Sequence, residues 1–153
     1  MSSTPSRVVV FHLDDRRYGL PLSAVERVVR MVDVTPLPQA PDIVLGVINV
    51  QGQVIPVVSA RRRFRLPERN LALSDQLVIA RTARRTVALA ADAVSGVLEY
   101  SPAEAVGVRD IVPGIGYIEG VVKLPDGLVL IHHLDRFLSL DEEQALDGAI
   151  GGT

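Results

Sequence analysis

The sequence predicts an all-β fold, arranged as a small barrel or a pair of small barrels, and three observations lead there. About nine or ten short apolar runs follow one another at close, regular spacing, each bounded by Gly, Pro, Asn or Asp. The same strand, turn, strand grammar is spelled out twice along the chain, which favours the pair. Hydrophobic residues make up 48% of the chain but aromatics only 4%, so the core must be Val, Leu, Ile and Ala, and a β-branched excess leans towards strands.

A chain of 153 residues is most simply one domain, able to bury roughly 70% of the surface its unfolded form exposes. The expected limits are residues 7–146, with an internal division near 68–75 and flexible tails at 1–6 and 147–153. With no cysteine there is neither a disulfide framework nor a thiolate site, and without an N-terminal apolar stretch a cytoplasmic location is expected. The longest apolar runs are strand-sized, short of the ~20 residues of a membrane helix, so no membrane insertion is expected. A formal net charge of −2 exerts no general pull on nucleic acid or anionic lipid.

Arg7 to Leu13 is apolar on both faces apart from His12, as in a strand packed between layers, and Asp14-Asp15 turns it back into Arg16 to Pro21. Ser23 and Glu26 have the spacing of a capping box. The valines that follow fit either helix or strand, and one helical turn leading into a strand to about Met31 is the preferred reading. Pro36, Pro38 and Pro41 make a stiff, extended connection in preference to a PxxP ligand. At the centre, Leu45 to Ile48 and Val54 to Val58 flank Asn49-Val50-Gln51-Gly52-Gln53, the pattern of a tight hairpin, in which Pro56 demands an edge or a bulge. Arg61-Arg62-Arg63-Phe64-Arg65 then reads as a solvated or partner-facing helical face, and Glu68 to Ser74 as a surface loop.

Gln76 to Arg81 and Thr86 to Ala91 form the next hairpin, with Val87, Leu89 and Ala91 on one face and the small Ala88 and Ala90 on the other. Ala93 to Glu99 is a further strand in which Gly96 suggests a bulge. Ser101 and Glu104 resemble a second capping box, and Val106 to Gly116 is read as a loop. Tyr117 to Lys123 and Leu128 to His132 are strands joined around Pro125-Asp126-Gly127. A helical turn over Asp135 to Leu138 and a C-terminal helix capped by Asp141 and Gln144 precede a glycine-rich tail from Gly148.

The search for chemistry finds little. His132, His133 and Asp135 are the one cluster resembling metal ligands, yet adjacent strand residues point to opposite faces; the plainer reading is one exposed and one hydrogen-bonded histidine. His12 is read as a satisfied, partly buried residue. Nucleophile elbows, zinc-protease helices, phosphate loops and dinucleotide fingerprints are absent from the sequence. No catalytic residue, cofactor or metal is expected. A nucleic-acid-binding barrel would use Arg61 to Arg65 with Arg81, Arg84 and Arg85 but lacks stacking aromatics; a metal hydrolase would use His132, His133 and Asp135.

The central hairpin, Gly46-Val47-Ile48-Asn49-Val50-Gln51-Gly52-Gln53-Val54-Ile55-Pro56-Val57, resembles the G-V-I-N-x-R-G-x-V-x-P-V signature of CheW-like domains, the adaptors of bacterial chemotaxis, which precedes a short basic helix. The likeness runs from about Val8 to about Leu146. Phe11, Leu13 and Tyr18-Gly19-Leu20 look like the family's opening hairpin, Pro36 to Pro41 its proline-bearing approach, Ala91-Asp92-Ala93-Val94 its V-D-x-V element, and Gly120 to Ile131 its closing hairpin. The resemblance implies two small five-stranded SH3-like barrels sharing a hydrophobic seam. It also implies a non-enzymatic scaffold joining the regulatory domain of a CheA-type histidine kinase to the cytoplasmic tips of chemoreceptors.

Scaffold function calls for exposed strand edges and shallow apolar patches. Val47, Asn49, Gln51 and Gly52 are expected to meet one partner, and Val94 and Val97 to line a receptor groove. Three positions depart from the family pattern, which carries Arg at Gln51, Asp near Ser59 and Glu near Arg27. Replacing Arg by Gln removes a charge and a bidentate fork, so a carboxylate held at that turn must be lost or replaced.

Overall fold

A computed structural model describes residues 6–101, 104–107 and 118–151. Among these, eleven strands run β1 (Ser6–Leu13), β2 (Arg16–Pro21), β3 (Val25–Arg30), β4 (Val44–Val50), β5 (Gln53–Val58), β6 (Gln76–Arg81), β7 (Thr86–Ala91), β8 (Ala93–Tyr100), β9 (Ala105–Gly107), β10 (Ile118–Leu124) and β11 (Gly127–His132). Two helices join them, α1 (Ala60–Arg63) and α2 (Leu140–Gly151), with 3-10 turns at Leu22–Ala24 and Leu134–Arg136.

The strands form two sheets of the same design. The second sheet runs β3-β6-β7-β5-β4 and the first β8-β1-β2-β11-β10, extended by the three-residue β9. In each, an edge strand pairs antiparallel with a hairpin, that hairpin meets another through a parallel junction (β7 with β5, β2 with β11), and the second hairpin completes the row. The repeated grammar of the sequence is therefore a repeated architecture, and the fold is all-β as expected. Its halves are interleaved, however. The expected division near 68–75 does not separate the sheets, because β6 and β7 return to the second sheet while β8 to β11 join β1 and β2. The parallel junctions are long-range pairings, which no local pattern announces.

Three apolar clusters account for the packing. Val8, Val10, Val122, Val129 and Ile131 fill the first sheet, and Ile48, Ile55, Val57, Leu77, Ile79 and Ala88 fill the second. A larger cluster between them joins Phe11, Leu13, Tyr18 and Leu20 to Val58, Val78, Val87 and Leu89, and is closed by Phe137 and Leu146. Alternation along β7 makes this possible: Val87, Leu89 and Ala91 face the seam while Ala88 and Ala90 face the second sheet's interior. This is the pair of barrel-like units sharing a seam.

Local details follow from sterics and hydrogen bonding. The expected bulge is present: Val10 faces Gly96 and Phe11 faces Val94, so Ser95 is the extra residue and Gly96 takes φ +127°. On β4, Val47 exchanges both backbone hydrogen bonds with Thr35, each 2.8 Å, so the proline-bearing connection covers part of that edge. Val47 thus points its polar backbone away from β5, and Pro56 opposite it turns its missing donor towards β7, where pairing starts only at Val57. Pro56 therefore sits in an interior strand without leaving a ladder partner unserved.

Several expectations are corrected. Ser23 caps nothing, since the 3-10 turn Leu22–Ala24 has no side-chain cap and Glu26 already lies in β3, where it accepts from Thr86 Oγ1 at 3.4 Å. The box that starts α2 is Ser139 with Glu142, not Asp141 with Gln144: the Glu142 N–H donates to Ser139 Oγ (3.1 Å) and the Ser139 N–H to Glu142 Oε1 (2.8 Å). The helix continues to Gly151 with Leu146 and Ala149 buried, so the segment expected as a tail from 147 is ordered against the core up to that point. Val106 and Gly107, read as loop, belong to β9. The Ser101 N–H donates to Glu104 Oε1 at 2.9 Å, as a capping box would have it, though Pro102 and Ala103 lie outside the described residues, as do 108–117 of the expected loop.

Candidate functional site: a hairpin tip and a strand edge

The β4–β5 turn is built by Gln51 (φ +52°) and Gly52 (φ +85°), the two residues between Val50 and its partner Gln53. Both central residues in the left-handed region define the tight hairpin whose twist matches the strands, and nothing approaches within 4 Å of a Cβ built on Gly52. Asn49 Oδ1 accepts from the Gly52 N–H at 2.9 Å and holds the turn closed. Gln51 Oε1 accepts from Arg27 Nη1 at 3.3 Å. This contact bridges the two edges of the curled sheet, because Arg27 lies on β3, the edge opposite β4. The two positions thus meet in space, with the cation on β3 and the uncharged acceptor on the turn. Sequence reasoning named both positions but missed that they are partners. Across the strand pair from Asn49, Val54 is 60% exposed.

The second patch lies on the edge strand β8. Val94 is half-buried against the seam and its N–H donates to Gln76 Oε1 at 2.8 Å. Val97 is 58% exposed. Beside it Gly96, Val97 and Leu98 face Leu124 and Val129 across a groove of about 170 Å³, with Arg17 at its rim. Val47, Asn49, Gln51 and Gly52 therefore sit on the second sheet, and Val94 and Val97 on the first. The structure presents two separate surfaces, not one pocket.

In the arginine run, expected as a solvated or partner-facing helical face, Arg61, Arg62 and Arg63 are held in ion pairs while Arg65 stays exposed. Ser59 caps α1 by accepting from the Arg62 N–H at 3.1 Å, a task the Asp of the family pattern could also perform. Arg61 is only 9% exposed; its guanidinium donates to both oxygens of Asp14 (3.1 and 2.9 Å) and both of Asp92 (2.9 and 2.8 Å). Arg62 pairs with Glu68 at 2.5 Å and Arg63 with Glu142, while Arg85 engages Glu143 (3.0 Å) and Asp147. Apart from Glu68, the acids come from distant segments, so the pairing of Arg61, Arg63 and Arg85 is not visible in the sequence. Arg61, Arg62, Arg63 and Arg85 of the positive stripe that nucleic acid would need are thereby already paired with carboxylates. Asp92 is pushed up by burial but pulled down further by hydrogen bonds from Arg61, the Asp14 N–H and Arg69 and by the Arg61 charge, so it stays ionised below the usual carboxylate range. Arg61 and Arg69 are raised, chiefly by their hydrogen bonds to Asp14 and Asp75 respectively.

The metal reading fails on geometry. His132 is wholly buried among Phe11, Tyr18, Phe64 and Phe137, burial pushes its pKa down to about 3, and its ring nitrogens have no partner among the described residues. The expected pair of one exposed and one hydrogen-bonded histidine is thus replaced by an imidazole used as an aromatic core residue. Asp135 Oδ1 accepts from the Ala83 N–H at 2.7 Å, and no three His, Asp or Glu side chains among the described residues are grouped to hold an ion.

Fold and surfaces together define a double-sheet β scaffold with an open hairpin tip and an exposed strand edge. The profile of the CheW-like domain matches residues 7–142, and the chain belongs to that family. It is 28% identical to the chemotaxis protein CheW of Treponema pallidum, over 92% of this chain and 86% of that one, and 27% identical to CheW of Rhizobium meliloti, over 90% of each. The scaffolding protein TtCheW from Thermoanaerobacter tengcongensis superposes with a TM-score of 0.82 at 26% identity, covering 91% of this chain and 96% of the other. The chain is a chemotaxis adaptor of the scaffold type.

Proposed function

We propose that the protein couples the cytoplasmic tips of chemoreceptors to the regulatory domain of a CheA-type histidine kinase, acting in the cytoplasm and catalysing nothing itself. The single observation that carries this reading is the placement of two exposed surfaces on different sheets, the largely polar Asn49–Gly52 tip and the Val94–Val97 edge, so that two partners can be held without competing. Edge strands supply backbone donors and acceptors, and half-exposed valines supply the desolvated contact. No helix among the described residues is long and apolar enough to cross a membrane, so membrane attachment would come through the receptor. Purified protein mixed with a kinase regulatory domain and a receptor-tip fragment from the same genome should bind each at roughly tens of micromolar or better. Binding to neither overturns the reading.

A further inference from the structure

The chain crosses from the second sheet to the first through a single residue: β7 ends at Ala91, β8 starts at Ala93, and Asp92 stands between them. The Asp92 backbone N–H donates to the His12 carbonyl at 2.9 Å, and its carboxylate accepts from the Asp14 N–H at 2.7 Å, from Arg61 and from Arg69. Arg61 comes from α1, directly after β5, and also grips Asp14 and the Pro67 carbonyl (3.0 Å). Arg69 is itself fixed by the buried Asp75, which precedes β6, at 3.0 and 2.6 Å. The network therefore ties the β1–β2 turn of the first sheet to two segments of the second at the joint where the chain passes between them.

The seam alone does not set that joint. It is made of Val, Leu, Ala and a few rings, and apolar contact is proportional to area and nearly indifferent to direction. A bidentate guanidinium fork is directional, and partly buried ion pairs add little net stability while constraining geometry. We infer that Asp92, clasped by Arg61 and Arg69, is the positioning residue that fixes the angle between the two sheets and hence the separation of the two docking surfaces. This rests on the adaptor reading for its purpose but not for its mechanics.

The chain has no cysteine, so spin labels can be placed without background. In the full-length protein carrying Gln53→Cys on the second sheet and Lys123→Cys on the first, both exposed, pulsed dipolar spectroscopy should return one narrow distance maximum. Adding Asp92→Asn should broaden it or split it while the far-ultraviolet dichroism is retained. In parallel, the variant should bind kinase domain and receptor fragment singly as the parent does, but lose roughly tenfold in the affinity of the three-component complex, because simultaneous engagement depends on geometry. If Asp92→Asn does not fold, Arg69→Met decides, since Arg69 is the more exposed clasp. An unchanged distance distribution in the folded variant overturns the proposal. A distribution that responds to Asp92 in a protein that binds neither fragment upholds the clasp and rejects the adaptor reading instead.

Discussion

The ring centroids of Phe64 and His132 lie 4.3 Å apart, which places an imidazole with no hydrogen-bond partner among the described residues inside the aromatic cluster where α1 meets β11. Burying an unpaired polar group is unfavourable, and here it has a pH signature. His132 stays neutral in the fold down to about pH 3, whereas the unfolded chain takes up the proton near the ordinary value of 6.5. Between those limits the unfolded state binds more protons, so stability falls as the pH is lowered from 6.5 towards 3, by about 2 kcal/mol at pH 5. The substitution His132→Phe keeps a ring in the cluster and removes the titration. Urea unfolding at pH 7 and pH 5 should show the parent losing stability and the variant holding it; equal pH slopes would refute the assignment.

Arg61→Met keeps much of the buried stem but takes from Asp14 and Asp92 their shared guanidinium, leaving Asp92 with Arg69 and the Asp14 N–H. Losing charge-assisted hydrogen bonds at partly buried carboxylates costs about 2 kcal/mol. A depressed carboxylate stabilises above its unfolded pKa and loses that contribution as the pH falls through its folded one. The gap between parent and variant should therefore be widest near pH 7 and shrink below about pH 4, read from thermal unfolding in paired buffers.

Gly46 carries the approach of the proline-bearing connection to β4. At φ +152°, a Cβ there would lie 2.4 Å from the Thr35 carbonyl oxygen and 2.7 Å from Val34 Cγ1. Gly46→Ala must push the connection off the edge and break the Thr35–Val47 pair, at a cost of about 1–3 kcal/mol. Amide hydrogen exchange should accelerate at Thr35 and Val47 first, and unchanged protection at both would show that the contact is dispensable.

Val97→Asp and Gly52→Trp test the two surfaces separately. Val97 is well exposed and the Gly52 turn is open, so both variants should remain folded by circular dichroism, with Val97→Asp within about 0.5 kcal/mol of the parent. Each should lower affinity for one partner roughly tenfold or more, the cost of a lost anchor at an interface. Binding of both partners left intact by both variants would mean that recognition lies elsewhere.

Residues close in sequence carried most of what could be read without coordinates. The Gln51-Gly52 turn, the alternation along β7 and the bulge at Gly96 are decided by backbone freedom and side-chain period over a few positions, and each stands where the pattern put it. The hairpin pattern points to the exposed Asn49–Gly52 turn, but no local pattern places it and the Val94–Val97 strand on different sheets. Capping was read less well: Ser23 fits the motif and does not use it, while Ser139 uses it and was passed over, because three residues cannot tell whether the following segment will be drawn into a strand.

Local pattern along the chain specifies an all-β fold of tight hairpins and a Val- and Leu-rich core, since turns and side-chain periodicity span only a few residues. Which hairpin joins which sheet, the seat of Arg61 between Asp14 and Asp92 and the use of His132 as an aromatic filler emerge from the folded arrangement alone. Those outcomes depend on groups that are dozens of residues apart. Whether a charge is solvated or clasped, or an imidazole exposed or enclosed, is set by what the folded chain brings beside it.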